Sequence, residues 1–127
     1  MTFDDVAELA LQLPEAGEAE RRGTRIWMVG AKTFAWERPF SKADLRRFGD
    51  TPPPPGPILA LRVADLMDKE AVLAAHPEAF FTIPHFEGFT AILVQLDLAT
   101  REDLGEAIVD AWLACAPPRL AETYQGL

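Results

Sequence analysis

The chain has 127 residues, 49% hydrophobic and 25% charged, with a formal net charge of −8 and a pI near 4.7, the composition of a single globular domain that buries roughly two-thirds of its unfolded surface. No apolar run approaches the ~20 residues of a membrane span, the acidic amphipathic start lacks the parts of a signal peptide, and Cys115 has no second cysteine to bridge. One cytoplasmic domain over residues 1–127 is therefore expected, and nonspecific attachment of the whole surface to nucleic acid or an anionic membrane is disfavoured.

Thr2 is expected to cap a first helix, with Asp5 in the capping-box position and Phe3, Val6, Ala10 and Leu13 on one apolar face. Pro14 ends it, and the acidic stretch to Glu20 reads as a polar link. TRIWMV (Thr24–Val29) and KTFAWE (Lys32–Glu37) predict two strands joined at Gly30-Ala31, where a leading glycine suits a type II′ turn. Arg38–Phe48 reads as a short basic helix or ordered excursion, and TPPPPGP as an extended surface spacer without ladder donors. Pro57–Val63 predicts a third strand, after which Asp65 caps a helix closed by His76-Pro77.

AFFTIP is expected as an edge strand. GFTAILVQLDLA predicts a long strand with Ile92, Val94, Leu96 and Leu98 on one face, Gln95 and Asp97 on the other. Thr100 and Asp103 open the clearest helix, with Leu104, Ala107, Ile108, Ala111, Trp112 and Cys115 at helical spacing until Pro117-Pro118; RLAETY adds a last turn. The order α-β3-α-β2-α with short hairpin links predicts a two-layer α+β fold: an antiparallel five-stranded sheet with helices on one face.

Charge is distributed unevenly. Between Arg21 and Arg47 lie eight of the twelve basic residues, Arg21, Arg22, Arg25, Lys32, Arg38, Lys42, Arg46 and Arg47, opposed only by Glu37 and Asp44. Gathered on one surface they would neutralise several phosphates; scattered, they would pair with acids near Glu15–Glu20 and Asp50. His85 stands in Pro84-His85-Phe86-Glu87-Gly88, a sequence suited to reversing the chain between strands. It is a turn residue first, and a candidate for stacking on or bonding to a nucleotide second.

No catalytic constellation emerges, so an enzyme is not expected. Cys115 lies on an apolar helix face without a base, Ser41 lacks a nucleophile-elbow context, and Gly30-Ala31-Lys32-Thr33 has only the end of a P-loop. His76, Glu78, His85 and Glu87 offer metal-binding donor types without compact spacing, so no metal or other cofactor is expected. Trp27, Trp36 and Trp112 read as core or sheet-face residues before stacking platforms.

KTFAWERPFSKADLRRFGD, the run from PILALRV through FFTIPHFEGFTAILVQLDL, and the tail AWLACAPPRLAETY together resemble the MmcQ/YjbR family of small bacterial proteins. Pro84–Phe89 is the most specific part. The resemblance implies a two-layer domain similar to secretion chaperones and, more distantly, frataxin-like proteins. It also implies DNA binding through a double wing of strands and turns, with His85 near the second wing. Gln95 and Pro118 stand where that pattern tends to carry Arg and Lys. Three functional classes follow: weak, salt-dependent nucleic-acid binding through the basic segment; a protein-interaction or chaperone-like module using an open sheet face; and metal or small-ligand binding. Oligomeric state is left open.

Overall fold

Reciprocal hydrogen bonds start the chain's first helix: the Asp5 amide donates to Thr2 Oγ1 (3.2 Å) and the Thr2 amide to Asp5 Oδ2 (2.7 Å). A computed structural model describes residues 1–125. In it α1 (Phe3–Leu11) buries Val6 and Ala10, as the apolar spacing requires. The elements that follow are β1 (Ala16–Arg21), β2 (Thr24–Val29), β3 (Lys32–Glu37), α2 (Lys42–Phe48), β4 (Ile58–Arg62) and α3 (Leu66–Ala75). Then come β5 (Phe80–Phe81), a 3₁₀ turn at Pro84–Phe86, β6 (Ala91–Gln95), α4 (Arg101–Cys115) and α5 (Pro118–Gln125). All strand pairs are antiparallel, in the order β1-β2-β3-β4-β6-β5.

The α+β class and antiparallel sheet hold, but the sheet has six strands rather than five. The segment expected as a polar link is β1, paired with β2 from Ala16↔Val29 to Arg21↔Thr24. Its hairpin turns on Arg22 and Gly23, with φ of 53° and 80°, the two left-handed residues of a type I′ turn. The second hairpin turns where expected, with Gly30 at φ 60°.

Nor do the helices keep to one face. One face carries α1, α3, α4 and α5 over the principal core, where Trp27, Phe34, Leu59, Leu61, Ile92 and Trp112 are sealed from solvent. The other face carries α2 and the 3₁₀ turn over a smaller core of Ile58, Ala60, Leu93, Ile83 and Phe86. Phe40 packs between Phe48 and Phe81, with ring centroids 5.3 and 6.3 Å away. The cause lies in β4 and β6, whose runs ILAL and AILV are buried residue after residue and need cover on both sides. β6 is shorter than the expected strand. After Leu96 donates to the Pro57 carbonyl the chain turns, leaving Leu98 52% exposed instead of on the core face.

In the proline-rich spacer Gly56 has φ 81° and lies against the Asp97 carboxylate, so a Cβ there would collide with it. No helix among the described residues is long and apolar enough to cross a membrane.

Candidate functional site

α2 and the 3₁₀ turn cover only the β4-β6-β5 half of their face. Beyond Trp36 of β3, which packs against that smaller core, side chains and not a helix cover the β1-β2-β3 half among the described residues, burying Ile26, and strand alternation decides what it presents. The pairs Ala19↔Ile26 and Ile26↔Trp36 put Ala19, Ile26 and Trp36 in one row, followed by Ala60, Leu93 and Phe81. Around that row a cleft of about 650 Å³ is lined by Arg21, Arg22, Lys32, Arg38, Arg62 and Trp36, among others, with Glu37 its only acid.

Arg21, Arg22 and Lys32 are exposed, and like Arg62 none forms an ion pair among the described residues. Arg22 holds a left-handed backbone conformation that asparagine or glycine adopts at lower cost, so the hairpin tip carries its cation at some expense in stability. Arg38 is positioned by Asp44: their side chains meet at 3.0 Å, and the guanidinium lies 5.4 Å from the Phe86 ring centroid. Arg62 lies likewise over Phe89, at 5.1 Å.

Asp44 is 2% exposed. Burial pushes its carboxyl up, but the Ser41 amide and hydroxyl and the Arg38 guanidinium hold it below the usual carboxylate range. Ser41 and Asp44 also form the capping box of α2, so one carboxylate starts the helix and orients an arginine of the cleft.

A second cavity, about 400 Å³, shares Trp36 and Arg38 with the cleft and adds His85, Phe86 and Phe89. Its floor is fixed from beneath by Lys69, a buried lysine of α3 whose Nζ donates to the carbonyls of Phe86 (2.6 Å) and Phe89 (2.8 Å). Burial pushes this ammonium below the usual lysine value, while Glu87 pulls it back up. Lys69→Met strands two carbonyls, at about 1–3 kcal/mol each, partly offset by no longer burying a charge. A net loss of about 2 kcal/mol is expected. Amide hydrogen exchange will quicken at Glu87, Phe89 and Ala91; unchanged exchange there would refute the clamp.

The structure divides the basic residues singled out by sequence. Arg21, Arg22, Lys32 and Arg38 meet in the cleft, and exposed His85 stands in the adjoining cavity. Arg25 does not join them. Register puts it on the α1 side, where it binds Asp4 (2.8 Å) and Glu18 (3.0 Å). Lys42 and Arg46 are exposed on α2 and line neither cavity, and Arg47 lies 3.9 Å from Asp44. Arg62 escaped notice because it lies outside the basic segment. The signal was there: alternation from Ile58 through Ala60 puts Arg62 on the α2 face.

Other chemistry is sparse. Cys115 is buried and its thiol is pushed up by burial, despite an opposing pull from Arg62, an environment that favours the neutral thiol over the reactive thiolate. Among the described residues no three His, Cys, Asp or Glu side chains converge as a metal requires, and His76 Nδ1 faces Asp103 of α4 at 3.5 Å. A larger groove of about 940 Å³ between α1, α4 and α5 collects Glu102, Glu106 and Asp110 against Arg101, a balance that favours no anionic ligand.

A family model described as YjbR matches residues 11–114. An uncharacterised protein of Mycobacterium tuberculosis and another of Mycobacterium bovis are each 42% identical to this chain over 126 residues, covering 97% of it and 95% of their own length. Among solved structures, a Deinococcus radiodurans protein with the family-model domain DUF419 aligns with a TM-score of 0.61 at 23% identity. That alignment spans 88% of this chain and 76% of the other, a likeness of fold. Matched over most of its length by the family model and nearly all of it by these relatives, the chain belongs to the YjbR family.

Proposed function

We propose that this protein is a binding protein, not an enzyme, and that it binds nucleic acid weakly through the β1-β2-β3 half of its sheet. The observation that carries this is the gathering of Arg21, Arg22, Lys32, Arg38 and Arg62 in one cleft, four of them without a carboxylate partner among the described residues. Five acids of the α1 side and its surroundings are held by other arginines, Asp4 and Glu18 by Arg25, Asp5 and Glu8 by Arg101, Glu15 by Arg119, and Glu37 is the one acid in the cleft lining. A chain of net charge −8 thus keeps one locally positive surface, which overall charge does not reveal. That surface carries several cations where a chaperone-like face would be apolar; of the exposed large hydrophobic residues, Leu11, Leu45, Leu66, Met67 and Leu98 line neither cavity, and Phe89 lines the adjoining one.

Binding of this kind is backbone-directed, with a Kd on the order of 10⁻⁵ M at physiological salt and a steep salt dependence. The test is fluorescence anisotropy with labelled oligonucleotides from about 20 to 200 mM salt. A variant carrying Arg21→Gln, Arg22→Asn and Lys32→Gln is run beside a control carrying Lys42→Gln and Arg46→Gln. The first is expected to lose about one unit of log–log salt slope per cation removed. The control keeps the wild-type slope. Equal slopes in both variants would overturn the assignment, as would flat titrations of the wild type at the lowest salt.

A further inference from the structure

Resting on that reading, we infer that the ligand of the cleft is a single strand rather than a duplex, with a base stacked on Trp36 and the flanking phosphates on Arg21, Arg22 and Lys32. Cations alone do not distinguish the two, because both present phosphates. The aromatic surface does. A duplex hides its base faces in the stack and offers only edges in its grooves, whereas a single strand offers base faces to aromatic rings and guanidinium planes.

Trp36 differs from the other two tryptophans. Trp27 and Trp112 are sealed in the core, with their indole N–H groups bonded to Glu18 Oε1 (2.9 Å) and the Pro14 carbonyl (3.1 Å). Trp36 is half-buried on the face that bears the cleft, and its N–H has no partner among the described residues. Among the described residues no side-chain polar atom is buried without a partner, so that N–H opens to solvent. Trp36 also forms the wall common to both cavities, between the unpaired cations on one side and His85 and Phe89 on the other. Arg38 and Arg62, each laid over a phenylalanine ring, add flat cationic surfaces at the same junction. A phosphate-binding rim that leads to a flat aromatic wall and then a second chamber follows a strand whose backbone and bases lie side by side.

The experiment compares a labelled oligothymidylate with a hairpin duplex of equal phosphate number at low salt, using anisotropy and intrinsic tryptophan quenching. The single strand is expected to bind about ten-fold more tightly and to quench fluorescence saturably. Trp36→Leu is expected to lose about ten-fold in single-strand affinity, and Trp36→Phe to restore most of it while abolishing the quenching. Urea midpoints establish that each variant folds; should Trp36→Leu not fold, Trp36→Phe and the quenching carry the test. Equal or tighter duplex binding would overturn the single-strand inference and leave nucleic-acid binding standing. A single-strand preference untouched by Trp36→Leu would overturn the stacking and hence the inference. No binding of either probe would remove both readings.

Discussion

Trp27→Ala is expected to remove about 3–5 kcal/mol, a large share of the roughly 5–15 kcal/mol available to a domain of this size. Trp27 is sealed from solvent at the meeting of α1, β1 and β2. Its ring stacks near Phe3 with centroids 6.5 Å apart, its N–H donates to Glu18, and the Arg25 guanidinium lies 5.4 Å from its centroid. Truncation leaves a cavity and also strips a hydrogen bond from a charged group. Trp27→Phe separates the two effects: it keeps most of the volume, loses the bond to Glu18, and is expected to cost about half as much. Urea unfolding followed by circular dichroism gives both values. A Trp27→Ala midpoint near that of wild type would mean that the α1-β1-β2 corner is not part of the cooperative core.

That corner also shows what sequence conveys and what it withholds. The caps at Thr2, Ser41, Asp65 and Thr100 are local, since each needs only a side-chain oxygen and an amide three residues on. Three of these starts were legible from spacing alone, and Ser41 sat within a segment already suspected of being helical. β1 was not legible. Its residues AGEAER alternate in no apolar pattern and are exposed nearly throughout. It is a strand because β2 offers it a complete ladder and because Glu18 is held by Arg25 and Trp27, partners seven and nine residues away. An edge strand fixed by polar contacts carries no periodic signature.

The site was half legible for a related reason. Charge clustering along the chain located Arg21, Arg22, Lys32 and Arg38, because a hairpin and the excursion after it are neighbours in sequence and in space. Clustering could not tell which face a residue points to. Alternation separates Arg25 from its neighbours, and pairing of β3 with β4 brings in Arg62 from outside the segment. Trp36 was read as a core or sheet-face residue, and it does pack, half-buried, against the smaller core; that it also lines the cleft depends on the strand pairing that sets its neighbours, which spacing along the chain does not convey.

Asp44→Ala joins stability to this site and is expected to cost about 3–5 kcal/mol, the usual penalty for deleting one partner of a buried ion pair. It leaves Arg38 half-buried without its carboxylate and removes the acceptor for the Ser41 amide at the start of α2. Asp44→Asn retains one acceptor oxygen for Ser41 but loses the charge and turns the other oxygen into a donor, so a smaller cost of about 1–2 kcal/mol is expected. The pH dependence has a definite sign. The folded-state carboxyl titrates below its unfolded value, so its contribution is complete above about pH 4 and is lost as pH falls through the folded value. Asp5, held down by the Thr2 amide, and Glu18, held down by Arg25, act in the same direction. Wild-type stability is therefore expected to fall steeply on the acid side, and more gently in Asp44→Asn, which has one such group fewer. Urea midpoints between about pH 2 and 6 for the two proteins check this, and parallel curves would refute the role of Asp44. Binding supplies an independent readout. With Asp44 neutralised, Arg38 is no longer fixed at the junction of the two cavities, so a folded Asp44→Asn protein is expected to bind oligonucleotide more weakly despite carrying one negative charge fewer. General electrostatics predicts the opposite, tighter binding, so the direction of the change decides between a positioned arginine and a merely positive surface.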